Sequence, residues 1–170
     1  MHDLDELASR LEIQNVIAKY AHAVDRRDFE TVRSCYHPDA YDDHGRYKGD
    51  LDGLLAYFDR LADKLNSTFH LMGTPYIEVK GDTAWAETFA VYRRDLKGDV
   101  PVLQGLRYAD RFERRTGQWR IAHRLVILDW EHAAGGEPPL PSAPEWLRGG
   151  LGENDPAYAL FGEARAASTR

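Results

Sequence analysis

The order in which hydrophobic periods occur along the chain predicts an α+β fold, with N-terminal helices packed on one face of a bent antiparallel sheet. Up to about residue 66 the apolar residues recur at three- and four-residue steps, and beyond Ser67 they alternate with a period of two. The turn-forming pairs Gly81-Asp82 and Thr116-Gly117 then divide the second half into a meander.

Over residues 3–24, Leu4, Leu7, Leu11, Val16, Ile17, Tyr20, Ala21 and Val24 form one helical stripe, while Glu6, Arg10, Gln14 and Lys19 occupy other faces. Asp28 has the chemistry to cap a second, short helix reaching about Tyr36, which Pro38 ends. Residues 41–48 are polar and read as a strand or a loop, closed by Gly49. Asp50 caps a third helix with Leu51, Leu54, Leu55, Phe58, Leu61 and Leu65 on one side, ending near Asn66. Five strands follow, over 67–72, 76–80, 83–94, 102–114 and 118–130. After Trp130, Gly and Pro dominate, so residues 133–170 are expected to be an extension of a domain spanning 1–132, anchored by Trp146, Leu147, Tyr158, Leu160 or Phe161.

The last strand carries apolar residues on both parities. Trp119, Ile121, Leu125 and Ile127 share one, Val126, Leu128 and Trp130 the other. If the second set faces the helices, Arg124 does too and His123 turns outward. Four large apolar side chains in line on the outer face predict a homo-oligomer, a dimer or a trimer.

A chain of 170 residues, 43% apolar and 29% charged, has the size and balance of one globular domain, or at most of one domain plus an extension. The net charge of -6, with Lys and Arg scattered, argues against a nucleic-acid partner. The single Cys35 excludes an internal disulfide and any cysteine-cluster metal site. The acidic start runs into a helix with no basic or apolar leader region, and no run is long enough to span a bilayer, so a cytoplasmic protein without membrane partners is expected.

Three ionisable residues on apolar elements are the candidates for chemistry: Asp25 at the end of the first helix, His70 within Phe69-His70-Leu71-Met72, and Arg124 within the last strand. A carboxylate that orients an imidazole makes a base, and a guanidinium holds an anion that the base creates. Each has a plain alternative: a solvated carboxylate, a buried structural histidine, and an arginine that must be paired if buried. The seven histidines show neither His-x-His nor His-Glu-x-x-His spacing. Asp42, Asp43 and His44 cluster, but neighbours on a strand point to opposite faces, so no metal is expected. No nucleophile elbow, phosphate-cradling loop or dinucleotide fingerprint occurs. Tyr20, Tyr41, Trp85, Phe89 and Tyr108 are core residues by default, and an aromatic lining suited to a ring-bearing ligand if a cavity exists.

The run Leu4-Asp5-Glu6-Leu7-Ala8-Ser9-Arg10 into Ile13-Gln14, then Tyr20-x4-Asp25-x2-Asp28, then His70, then Gly117-Gln118-Trp119-Arg120 before a long apolar strand, resembles the SnoaL-like branch of the nuclear transport factor 2-like superfamily. The likeness spans about residues 3–130 and is nearest to the group containing scytalone dehydratase, bile-acid 7α-dehydratase and hexachlorocyclohexane dehydrochlorinase. It implies a cone, a curved antiparallel sheet closed by helices around an apolar pocket, in dimers or trimers. It further implies an Asp–His dyad at Asp25 and His70, a pocket arginine at Arg124 and a catalytic-helix tyrosine at Tyr20, with His44 near a tyrosine that scytalone dehydratase uses on substrate oxygen. Scytalone itself is not the expected substrate, because that enzyme's second histidine falls at Arg93 or Arg94 and its serine and asparagine near Leu106 and Tyr108.

The expected function is a cofactor-independent small-molecule lyase in which His70, oriented by Asp25, takes a proton from carbon while Arg124 or Tyr20 assists the leaving group. His44, Tyr41, Trp85, Phe89 and Tyr108 are expected to line the substrate site. An isomerase or cyclase on the same dyad, and a non-catalytic binding or structural subunit, remain the alternatives.

Overall fold

The computed structural model describes residues 4–133, 144–148, 156 and 159–160. Helix α1 runs Leu4–Asp25 and buries Ser9, Ile13, Ile17, Tyr20, Ala21 and Ala23. The expected stripe is therefore rotated at its N-terminal end, where Leu4, Leu7 and Leu11 are exposed. Arg27, at φ 58°, ends the helix in a left-handed turn. There the Asp28 N–H donates to the Ala23 carbonyl and the Arg27 N–H to the Val24 carbonyl, the Schellman pattern that satisfies the last carbonyls and reverses the chain.

Asp28 caps α2, Phe29–Ser34, by accepting from the Thr31 N–H at 3.0 Å. This helix is shorter than expected: β1 begins at once, Tyr36–Asp43, and contains Pro38. A proline is tolerated there because residues 37–40 lie in an irregularity of the pairing with the last long strand, where no ladder bond is required of it. A turn at residues 44–47 leads to β2, Lys48–Asp50, and α3 covers Leu51–Ala62, capped by Asp50 through the Gly53 N–H. Leu65 already belongs to β3, Leu65–Met72, rather than to the helix. The remaining strands are β4 Tyr76–Lys80, β5 Thr83–Leu96, β6 Val102–Arg115, β7 Gln118–Ala133 and the short β8 Leu147–Arg148. Strand β7 thus runs one residue beyond the expected domain end at 132.

The sheet order is β2-β1-β7-β6-β5-β3, with β4 also on β5 and β8 also on β7. It is open and mixed rather than purely antiparallel, since β1 and β8 both run parallel to β7. The architecture is an α+β cone: the helices pack into the concave side of the curved sheet, and Ile13, Ile17, Leu54, Phe58, Phe112, Ile121, Val126 and Leu128 share one core there.

Strand β7 decides which residues enter that core. Arg111 pairs with His123 but Phe112 pairs with Ile121, so Ala122 is an extra residue, a β-bulge that reverses the parity of the strand. Trp119 and Ile121 consequently join Arg124, Val126 and Leu128 on the inner side. The expected outer row of Trp119, Ile121, Leu125 and Ile127 does not exist. A second bulge at Asp129 turns Trp130 outward, where its indole lies over Gly105; a Cβ at that glycine would stand 2.1 Å from Trp130 Nε1. On the outer side, Ile127 packs with Trp85, Ala109 and Leu160, flanked by Leu125 and Leu147, so Leu147 and Leu160 cover this part of the face within the same chain.

Deleting Ala122 removes the bulge and rotates either Trp119 and Ile121 or the rest of β7 out of register. Exposing two large buried side chains costs about 3–6 kcal/mol. A thermal scan should show the deletion variant melting far below the parent or without a cooperative transition; an unchanged midpoint would mean that the bulge is dispensable.

Candidate active site

The open end of the cone holds a cavity of about 370 Å³, walled by the C-terminal turn of α1, by α3, by the β1–β2 turn and by β3, β5 and β6, with Trp146 from the extension at its rim. Its volume lies at the lower end of the range for small-molecule sites. The Schellman turn leaves Asp25 as the last residue of α1, facing the start of β3. There its carboxylate accepts three hydrogen bonds: from Thr68 Oγ1 at 2.9 Å, from the His70 backbone N–H at 2.8 Å and from His70 Nδ1 at 2.7 Å. Burial pushes the Asp25 carboxyl up, but the bonds from His70 and Thr68 outweigh it and hold the group below the ordinary carboxylate range. An ionised Asp25 requires the proton on His70 Nδ1, so the lone pair of a neutral ring lies on Nε2. The face of the His70 ring lies 4.5 Å, centroid to centroid, from that of Tyr92, its cross-strand partner.

A second histidine reaches the same cavity from the β1–β2 turn. His44 Nδ1 lies 2.9 Å from Asp42 Oδ1, and Asp42 Oδ2 accepts from the Tyr36 hydroxyl at 2.8 Å. His44 packs edge-on to Phe58, and the rings of His44 and His70 each lie 6.4 Å from that of Tyr108. Tyr108 is fully buried, and its hydroxyl has no hydrogen-bond partner among the described residues. Burial raises the Tyr20 and Tyr108 hydroxyls above the ordinary phenol range, so both are neutral donors.

Arg124 does face the inner side, but it stands behind the cavity wall rather than on it. Its guanidinium makes a bidentate pair with Asp110 at 2.7 and 2.8 Å, donates to the Tyr36 hydroxyl at 3.2 Å, and lies 4.1 and 4.6 Å from the ring centroids of Tyr20 and Tyr108. Burial works against the Arg124 charge, yet Asp110 and the surrounding hydroxyls outweigh it and the group stays charged. Burial likewise raises the Asp110 carboxyl, and Arg124 pulls it back only in part.

Of the residues expected around the substrate, Tyr20, Asp25, His44, His70 and Tyr108 line the cavity. Tyr41, Trp85 and Phe89 do not. Tyr41 lies half-exposed beside His123 on the outer side. Trp85 belongs to the outer cluster with Leu160, and Phe89 is exposed beneath Arg107. The reason is strand parity: Thr88 and Tyr92 share the inner side of β5 with Ala84, Ala86 and Ala90, which puts Trp85 and Phe89 opposite. Reading the alanines rather than the aromatics as the inward row identifies Tyr92, the ring nearest His70. Phe58, Tyr57 and Trp146 are further cavity residues absent from the expected set; no local signal marks Trp146, which a distant segment delivers.

Residues 5–125 match the SnoaL-like domain. The uncharacterized protein Rv2910c of Mycobacterium tuberculosis is 31% identical over 131 residues, which cover 74% of this chain and 88% of the relative. Among solved structures, a type 2 hexachlorocyclohexane dehydrochlorinase, LinA, superposes with a TM-score of 0.74 at 24% identity, over 84% of this chain and 99% of its own. A putative scytalone dehydratase from Novosphingobium aromaticivorans superposes with a TM-score of 0.70 at 14% identity, over 79% and 93%. With the domain match covering most of the chain, and the cone built as described, this protein belongs to the SnoaL-like domain family.

Proposed function

We propose that the protein is a cofactor-independent small-molecule lyase in which His70, oriented by Asp25, is the general base. The observation that carries this reading is the 2.7 Å bond between His70 Nδ1 and Asp25 inside an aromatic cavity. The carboxylate fixes the tautomer and the orientation of the ring, and stabilises the imidazolium that forms in the reaction. His70 removes a proton from carbon, the electron pair forms the double bond, and a leaving group departs beside the hydroxyls of Tyr20 and Tyr108. Arg124 acts from behind these rings, holding their positions, since its charge is committed to Asp110. The names of two structural neighbours, a hexachlorocyclohexane dehydrochlorinase and a putative scytalone dehydratase, favour elimination over isomerisation. The substrate is an apolar or ring-bearing molecule of the size of the cavity, and the extension after residue 132 acts as a separate cover, placing Trp146 at its rim.

We also propose a homo-oligomer, a dimer or trimer, on a different patch from the one the periodicity indicated. Phe69, Leu71, Phe89 and Trp130 all expose large apolar surface on the outer side of β3, β5 and β7, more than single scattered side chains.

Incubation with hexachlorocyclohexane and a panel of cyclic alcohols, followed by mass spectrometry, tests the chemistry. Loss of acid or water is expected, whereas a product of unchanged mass marks an isomerase. His70→Ala should lower the rate by about two to four orders of magnitude with the fold retained; undiminished turnover would remove His70 as the base.

The Asp25 tether also has a pH signature. Its folded-state pKa is depressed, so the stability it contributes is complete above the unfolded carboxylate value, about 3.9, and is lost as pH falls from there through the folded value. Asp25→Ala should be less stable than the parent at pH 7, with the gap narrowing below about pH 4. Equal differences at pH 7 and pH 3 would contradict this.

Sedimentation at micromolar concentration checks the assembly. A dimer or trimer is expected for the parent, and Phe89→Glu should shift it towards monomer; a parent that sediments as a monomer rules the assembly out.

A further inference from the structure

Both histidines in the cavity hold their Nδ1 atoms against a carboxylate, His70 at 2.7 Å from Asp25 and His44 at 2.9 Å from Asp42. Asp42 and His44 lie two residues apart and turn to the same side, while Asp43 turns away to Lys48 at 2.9 Å. The side chain of Asp42 is 1% exposed. A buried carboxylate is costly unless its oxygens are satisfied, and here both are. One holds His44, and the other accepts from Tyr36, whose oxygen in turn accepts from Arg124. A chain of charged and polar groups thus runs from Asp110 through Arg124, Tyr36 and Asp42 and ends on an imidazole in the cavity. A histidine that only fills a wall beside Phe58 has no need of such support.

We propose that His44, oriented by Asp42, is the second acid–base group of this site, and that it gives a proton to a departing oxygen while His70 takes one from carbon. The proposal rests on the lyase reading above and narrows its substrates to alcohols that lose water. A halide leaves as a stable anion, but hydroxide must be protonated as it goes, which is the work of a positioned acid. In the step, the C–H bond breaks with its proton going to His70 Nε2 and its electron pair forming the C=C bond. The C–O bond breaks with its pair on oxygen, which takes the Nε2 proton of the His44 imidazolium and leaves as water. His70 ends protonated and His44 neutral, and proton exchange with solvent restores both. Arg124 is then a positioning residue, acting on His44 through Tyr36 and Asp42.

A carboxylate and two aromatic rings face His44. Asp42 faces it from β1, and Phe58 of α3 and Tyr108 of β6 present ring surface. Of the arginines lining the cavity, Arg46 and Arg94 each have a carboxylate of their own, Glu145 at 3.3 Å and Glu131 at 3.8 Å.

Long-range proton–nitrogen NMR of the histidine side chains in the full chain, from about pH 5 to 9, tests the assignment without a substrate. His44→Gln and His70→Gln identify the two signals. Both imidazoles should titrate with the neutral proton on Nδ1, and Asp42→Asn should lower the His44 midpoint by about one unit while leaving that of His70 in place. Asp25→Asn should do the converse. Tyr36→Phe, which keeps both carboxylates, should also move His44 and not His70. A His44 that does not titrate, carries its neutral proton on Nε2, or ignores both Asp42→Asn and Tyr36→Phe overturns the proposal. On a cyclic alcohol that the protein dehydrates, His44→Gln should cost about 100-fold and abolish the alkaline limb of the pH–rate profile, and His70→Gln should abolish the acid limb. An intact alkaline limb in His44→Gln overturns the role of His44 and leaves His70 as base; turnover unaffected by His70→Gln overturns the lyase reading itself.

Discussion

A fully buried arginine lies at the base of the cone, and most of the inner architecture follows from keeping its charge satisfied. Removing a guanidinium from water costs roughly several kcal/mol even after relaxation, and only good geometry repays it. Arg124 obtains that geometry from Asp110 directly across the β6–β7 ladder, from the Tyr36 hydroxyl, and from the ring faces of Tyr20 and Tyr108. Those three tyrosines come from β1, α1 and β6, so one cation ties three elements together. Tyr20 and Tyr108 then present their outer surfaces as the cavity floor, and replacing either removes a wall of the cavity and a partner of the charge at once.

The tether between the end of α1 and β3 is the second fixed point. Asp25 sits where the helix dipole is least favourable to a carboxylate. Its two backbone-strand and side-chain donors from His70, with the hydroxyl of Thr68, offset that disadvantage. The same three bonds that join helix to strand also orient the imidazole, so positioning and structure are inseparable here. The left-handed Arg27 makes this possible by ending α1 at the required place, and its guanidinium further secures the turn by donating to the Leu65 carbonyl at 2.9 Å.

The outer face of the sheet is divided between two kinds of surface. Near β8 it is covered by the chain itself, through Leu147 and Leu160 over Ile127 and Trp85. Around Gly105 none of the described residues covers it, and Trp130, Phe89 and Leu71 line a shallow concavity. The glycine is what allows the indole to approach the sheet this closely. Arg107, bound to both Glu87 and Asp129, borders this apolar area and gives it a polar edge.

By itself the sequence determined the class of fold and most element positions, because these follow from local signals: a change of period at Ser67 and capping aspartates at 28 and 50. It marked Asp25 and His70 as candidates, and only the family resemblance implied that they form a pair. The sequence also grouped Arg124 with Val126 and Leu128 on one parity of β7. Alternation along a strand is a local rule, however, and β7 breaks it twice. The bulges at Ala122 and Asp129 are visible only in the pairing with β6, and they alone decide that Trp119 and Ile121 are core and that Trp130 is surface. Tertiary structure likewise decided that Trp85, Phe89 and Tyr41 stay out of the cavity, that a parallel β1 brings Asp42 beside Tyr36 and Arg124, and that Trp146 reaches the rim. Each of these depends on contacts between residues far apart in the chain, where the burial of one side chain is set by what the other element offers it and not by its own neighbours.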